Sequence, residues 1–188
     1  AAKLTGTASA KDPLSMEDAG ALKVRDFTDI GHASTAGCCR EQLWNIVTVV
    51  RSQLAAFRPD YVVFEIADGI VQRETVMLLE LFQAHHDVDY VMYACNDSLG
   101  VAAGVNRLRQ HEFNVAAVSG WVGCSPLAAH EAQEQTDVPV LRPEDLQEPQ
   151  VIRLFAKTSA KSRASEGDGV ILNFPSPLAK PDLATGST

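Results

Sequence analysis

The sequence predicts an α/β fold, a mainly parallel sheet flanked by helices. Three observations carry this expectation. Short apolar runs at 61–66, 90–95, 115–119 and 138–141 alternate with stretches of helical periodicity. The run from Tyr61 to Phe64 is continuous rather than alternating, as in a strand buried on both faces of a parallel sheet. It leads straight into Glu65-Ile66-Ala67-Asp68-Gly69, two carboxylates and a turn residue. Such strands end in a crevice at their carboxyl edge, where α/β proteins place ligands. A charge inside a buried strand is costly without a partner, so Glu65 is the leading candidate for a functional group. Asp68 has two readings, a second acid of the site or a cap for the next helix.

The chain has 188 residues, enough for one domain with a proper core. Hydrophobic residues make up 46%, and no apolar run reaches membrane-spanning length, so a soluble globular protein is expected. The net charge of −8, with no basic cluster, argues against nucleic acid or an anionic membrane as partner. Cys38, Cys39, Cys95 and Cys124 show no metal-ligand spacing, and adjacent cysteines pair poorly. No signal-peptide pattern opens the sequence, and a reducing, cytoplasmic setting is expected.

In chain order, Ala1–Thr7 reads as the end of a strand and a tight turn. Thr5, Gly6 and Thr7 supply hydroxyls and a flexible backbone suited to an anion, with Lys3 just ahead. Residues 9–22 read as loop with one helical turn, and 24–27 as a short strand. The glycine-flanked loop 26–37 gathers Asp29, His32, Ser34 and Thr35, a make-up that carries sites more often than cores. Leu43, Ile46, Val47, Val50, Leu54 and Phe57 recur at helical spacing and predict a helix over 41–57. A second helix is expected over 73–86, with His85 and His86 in a structural role in its last turn. The strand 89–95 precedes a helix over 99–110, whose Gly100 and Gly104 allow close approach to the sheet or a ligand. A strand over 114–120 follows. Ser125-Pro126 then opens a helix, serine as N-cap and proline at the first position. A short strand over 138–141 precedes a helix broken near Pro149. Residues 1–160 are expected to form the α/β domain. Residues 161–188, rich in serine, glycine, alanine and proline, are expected to form a loosely ordered tail, with 170–174 its last apolar run.

This order of motifs resembles the P-loop NTPases of the dethiobiotin synthetase and cobyrinic acid a,c-diamide synthase type, over about Lys3 to Leu141. Lys3-Leu4-Thr5-Gly6-Thr7 is similar to their lysine-bearing strand end and turn. Val63-Phe64-Glu65-Ile66-Ala67-Asp68-Gly69 is similar to their Val-Glu-Gly-x-Gly, with Ile66 where they carry glycine. Residues 94–100 and 116–120 resemble the later strand ends near the nucleotide. The resemblance implies ATP and magnesium as cofactors, with Glu65 and Asp68 toward the metal. It implies Lys3 and Glu65 as catalytic residues, and Ser119 and Gly120 beside the nucleotide. Thr5, Gly6, Thr7, Asp12, Asp29, His32, Ser34 and Thr35 would face a small-molecule substrate.

The family's Gly-x-x-x-x-Gly-Lys-(Ser/Thr) loop is absent from these 188 residues. Two accounts fit, an amino-terminal truncation or a degenerate relative. Under truncation, the missing strand leaves a gap in the sheet. Poor solubility, marginal stability or a homodimer formed through the gap is then expected. The functional expectation is an ATP- and magnesium-dependent enzyme acting on a small carboxylate-type substrate. The alternative is a non-catalytic α/β small-molecule-binding or regulatory domain.

Overall fold

The computed structural model describes residues 1–156 and the strand 170–172. Its strands are β1 (Ala2–Lys3), β2 (Arg25–Asp26), β3 (Val63–Glu65), β4 (Tyr90–Ala94), β5 (Val115–Ser119) and β6 (Val170–Leu172). The helices are α1 (Lys11–Asp18), α2 (Arg40–Ala55), α3 (Arg73–His85), α4 (Ser98–Gln110), α5 (Trp121–Cys124), α6 (Pro126–Glu134) and α7 (Pro149–Ala156). The strands form one sheet in the order β2-β1-β3-β6-β4-β5, and every pairing is parallel. Helical connections between parallel neighbours are what this topology requires.

The core follows the predicted periodicity except at Phe57, which lies beyond the end of α2 and is 47% exposed, and at Val76 of α3, expected to pack inward but only half-buried. Leu43, Ile46, Val47, Val50 and Leu54 form the buried stripe of α2. Leu78, Leu79 and Phe82 do the same for α3. Phe64 of β3 stacks on Phe82 at 6.1 Å, and Trp44 of α2 meets Phe82 edge-on at 6.5 Å. Aromatic contacts thus run from sheet to α3 to α2. His85 stacks on Trp44 at 4.1 Å, and His86 closes α3 in the left-handed conformation, a structural role for both. At Gly104 an added Cβ would lie 2.2 Å from the Tyr93 ring, so glycine is what lets α4 lie against β4.

Several expectations are corrected. The segment 138–141 is not a strand; only an isolated parallel bridge joins Val140 to Val118. That bridge consists of Val118 N donating to Pro139 O at 2.9 Å and Leu141 N donating to Val118 O at 2.8 Å, and Pro139 has no N–H with which to extend the ladder toward β5. Residues 9–22 hold the two-turn helix α1 in place of a single turn. Asp68 does not cap α3: Gln72 does, its side chain accepting from Thr75 N at 3.1 Å.

The gap expected in the middle of the sheet is filled. β6 lies between β3 and β4 and pairs with both, Ile171 standing opposite Phe64 on one side and Val91 on the other. Unpaired backbone at that slot, the basis for dimerisation through it, is not there. Apart from β6, the tail expected over 161–188 lies outside the described residues.

Candidate functional site

The parallel register brings three ionisable side chains to one edge. Lys3 is the register partner of Asp26 in β2 and of Glu65 in β3. Registered residues of parallel strands share a face of the sheet. All three stand at the last residue of their strands, hence at the carboxyl edge. All are buried, at 6%, 6% and 9% exposure. Above them α1 delivers Asp12, which forms an ion pair with the Lys3 ammonium.

Glu65 is the unusual member. Among the described residues no hydrogen bond or ion pair ends on its carboxylate. Burial pushes its pKa up to about 7; the Lys3 charge pulls it down, and Asp12 and Asp68 push it up. A carboxyl group so poised is half protonated near neutrality and gains from any cation that reaches it. Asp68, exposed and at φ 81°, lies close enough to act on Glu65 through its charge.

Two loops clasp over this edge. Gly6 N donates to the Thr35 hydroxyl at 2.9 Å, and Thr35 N donates to Gly6 O at 2.9 Å. Thr7 and Ser34 form an antiparallel bridge beside them. Thr5 ties the first loop to β3: its hydroxyl accepts from Ala67 N at 2.9 Å and donates to Ala67 O at 3.3 Å. A Cβ on Gly6, at φ 118°, would lie 3.4 Å from the Lys3 nitrogen, so the turn passes directly over that ammonium. Thr5 and Thr35 are almost wholly buried and spend their hydroxyls on this framework. Thr7 is exposed, while Ser34 is half-buried and its hydroxyl accepts from Ala36 N at 3.2 Å. His32 is half-buried, with Nδ1 3.8 Å from the Cys38 sulfur.

The structure therefore brings together Lys3, Thr5, Gly6, Thr7, Asp12, Ser34, Thr35 and Glu65. Asp29 is drawn elsewhere. Its carboxylate accepts from Asp26 N at 3.0 Å while Asp26 accepts from Thr28 N at 2.6 Å, a reciprocal cap of the 3-10 turn Phe27–Ile30. Ser119 and Gly120 end β5, at the same edge but three strand positions from β3, about 14 Å at the usual strand spacing. There the Ser119 hydroxyl donates to Leu141 O at 3.0 Å, and Gly120 lies against the Cys95 backbone.

Two residues escape sequence reasoning. Asp26 had a signal, the Asp-x-x-Asp spacing of a capping box with Asp29. Glu74 had none. Buried in the first turn of α3, it accepts from Gly37 N at 2.7 Å and so pins the far end of the His32 loop. Burial acts to raise its pKa, but the Gly37 and Glu74 backbone N–H groups and Arg73 outweigh it, and the carboxyl stays below its usual range.

Among the described residues no three His, Cys, Asp or Glu side chains converge as a metal cage. Magnesium rarely uses one; it is held through one or two carboxylates with waters and substrate phosphates. The unpartnered Glu65 carboxylate fits that second mode. Fold and site define an α/β protein with a charged cluster at the carboxyl edge of a parallel sheet. No family model, curated protein or solved structure matches the chain.

Proposed function

We propose that this chain belongs to an ATP- and magnesium-dependent enzyme of the dethiobiotin synthetase-like class, acting on a small carboxylate-type substrate in the cytoplasm. The observation that carries the reading is Glu65, a buried carboxylate without a hydrogen bond, set beside the Lys3 ammonium. Burial disfavours its charged form, and a cation reaching the carboxylate would offset that cost.

In this reading Glu65 holds magnesium in its deprotonated state. Glu65 would hold the cation, whose charge would offset the charge that develops in phosphoryl transfer. Lys3 would offer its ammonium charge to the same transferring group. The Gly6 turn keeps the lysine stem in place, and Asp12 is its ion-pair partner. His32 and the outward-facing Thr7 contact the substrate, while Thr5 and Thr35 hold the loops that present them. The reading requires a phosphate-binding loop outside these 188 residues. Four free thiols accord with a reducing compartment, and no described helix is long and apolar enough to cross a membrane.

One observation favours a second reading. Lys3 is already neutralised by Asp12, as in a non-catalytic binding or regulatory domain. ATP hydrolysis by the product of the complete reading frame separates the two. The enzyme reading expects magnesium-dependent turnover that falls at least tenfold, about 1.4 kcal/mol in the barrier, in Glu65→Gln and in Lys3→Met. Magnesium affinity should fall mainly in Glu65→Gln. Turnover and magnesium dependence unchanged in Glu65→Gln would make Glu65 a structural carboxylate.

A further inference from the structure

A cleft of about 580 Å³ opens between α1 and the 3-10 turn after β2, and it shares Asp26 with the charged edge of the sheet. Its size falls within the range of small-molecule sites, about 300–1,000 Å³. Ala10, Pro13, Leu14 and Val24 give it an apolar wall. Its charged rim holds Lys23 and Arg25 against Glu17, Asp26 and Asp29. The cations are engaged elsewhere. Arg25 donates to the Gln53 side chain at 2.7 Å and to Val24 O at 3.3 Å, and Lys23 lies over the Phe57 ring at 6.0 Å. The acids are not neutralised: among the described residues Glu17, Asp26 and Asp29 form no ion pair.

Asp26 is the decisive group. It is 6% exposed and lines the cleft. Its Oδ1 takes both the N–H and the hydroxyl of Thr28, but among the described residues no hydrogen bond ends on Oδ2. That oxygen is not sealed in the core, where the Tyr90 hydroxyl is the orphaned buried group among the described residues, and it can take a donor from a ligand in the cleft. We propose that the cleft binds the ammonium end of a small aliphatic amine, with the head at Asp26 and the stem along Pro13 and Leu14. An ammonium offers three donors and no acceptor, matching the carboxylates of Glu17, Asp26 and Asp29, which form no ion pair among the described residues. The apolar wall suits an unbranched stem. Neither Lys3 nor Glu65 lines this cleft, so the inference rests on Asp26 and requires no nucleotide at the neighbouring edge.

Isotope-labelled chain titrated with n-hexylamine near neutral pH, with hexan-1-ol and hexanoate as matched neutral and anionic probes, tests this. The amine should move the Thr28 and Asp29 amide signals saturably, and the two controls should bind at least tenfold more weakly. Asp26→Asn keeps a good helix-capping residue and removes the charge; it should weaken the amine at least tenfold. Leu14→Trp, at a position 54% exposed on α1, should fill the cleft and prevent binding with the helix retained. Equal response to amine and hexanoate, or amine binding untouched by Asp26→Asn, overturns the proposal. If Asp26→Asn does not fold, the probe series and Leu14→Trp decide the matter.

Discussion

Lys3 and Glu65 are direct partners in the parallel register of β1 and β3, yet the ammonium of Lys3 goes to Asp12 and not to Glu65. The backbone reinforces the pairing: Leu4 N donates to Glu65 O at 2.8 Å. One side of this junction is neutralised and the other is left with a proton-sensitive acid. That asymmetry makes the site testable without knowing its substrate.

The first prediction concerns pH. Glu65 has a folded pKa raised to about 7 by burial, against 4.5 for the free group. Between those values the folded chain holds more protons than the unfolded one, so stability falls as pH rises. The stability is fully present below the unfolded pKa and is lost by the time pH passes the folded one. Each pKa unit is worth about 1.4 kcal/mol, so the loss is on the order of 3 kcal/mol. Thermal midpoints at constant ionic strength should decline through this window, and Glu65→Gln should flatten the decline. Magnesium ions should restore stability to the wild type near neutral pH and not to the variant. An unchanged pH profile in Glu65→Gln would assign the slope to other groups.

The second prediction has two arms of opposite sign. Lys3 lowers the Glu65 pKa and Asp12 raises it. Lys3→Met should therefore move the Glu65 titration upward, and Asp12→Asn should move it downward. Carboxyl-carbon NMR titration of selectively labelled protein reads both. A common direction for the two variants would mean that their charges do not act on Glu65 independently.

Local periodicity was legible and long-range pairing was not. α2 could be read because its five buried positions fall on one stripe of a 16-residue helix. Glu65 could be read because a charge interrupts an apolar run. The strand itself is shorter than that run: Tyr61 is 48% exposed, and pairing begins at Val63. The helix α1 was understated because it buries no residue and so has no apolar stripe to announce it. β6 was unreadable as a central strand, since three residues carry no period and their partners lie about a hundred residues away in sequence. Of the site, the loops named for their hydroxyls do meet at one edge. Which hydroxyls are spent on Ala67 and Gly6 depends on contacts that spacing does not encode.

The third prediction concerns the clasp. Gly6 sits at φ 118°, where a side chain is strained, and a Cβ there would lie 3.2 Å from Lys3 Cε. Gly6→Ala should cost about 1–3 kcal/mol and displace the lysine stem. Thr35→Val keeps the shape but leaves Gly6 N without its acceptor at a buried position, again costing about 1–3 kcal/mol. Urea unfolding gives both values. The two variants should be less than additive, because they break the same clasp. Full additivity would show that the two loops are held independently.

The last prediction concerns the middle of the sheet. Among the described residues no direct pairing joins β3 to β4, and β6 is what connects β2-β1-β3 to β4-β5 in the sheet. Its three residues are paired on both sides, Val63 to Glu65 in one direction and Tyr90 to Met92 in the other. Proline inside a central strand removes a ladder donor and is found essentially only at edges and bulges. Ile171→Pro should therefore weaken the sheet far more than a substitution at its rim. Hydrogen exchange reads the effect locally. Protection should fall at the amides of β3 and β4, while α2, packed against α3, loses less. A control at the outer strand, Arg25→Pro, should leave the β3 and β4 amides protected, because β2 pairs on one side only. If Ile171→Pro leaves the exchange of β3 and β4 unchanged, β6 does not hold the two halves together in solution. The backbone of β3 would then be open, immediately beside Glu65, to a strand from elsewhere.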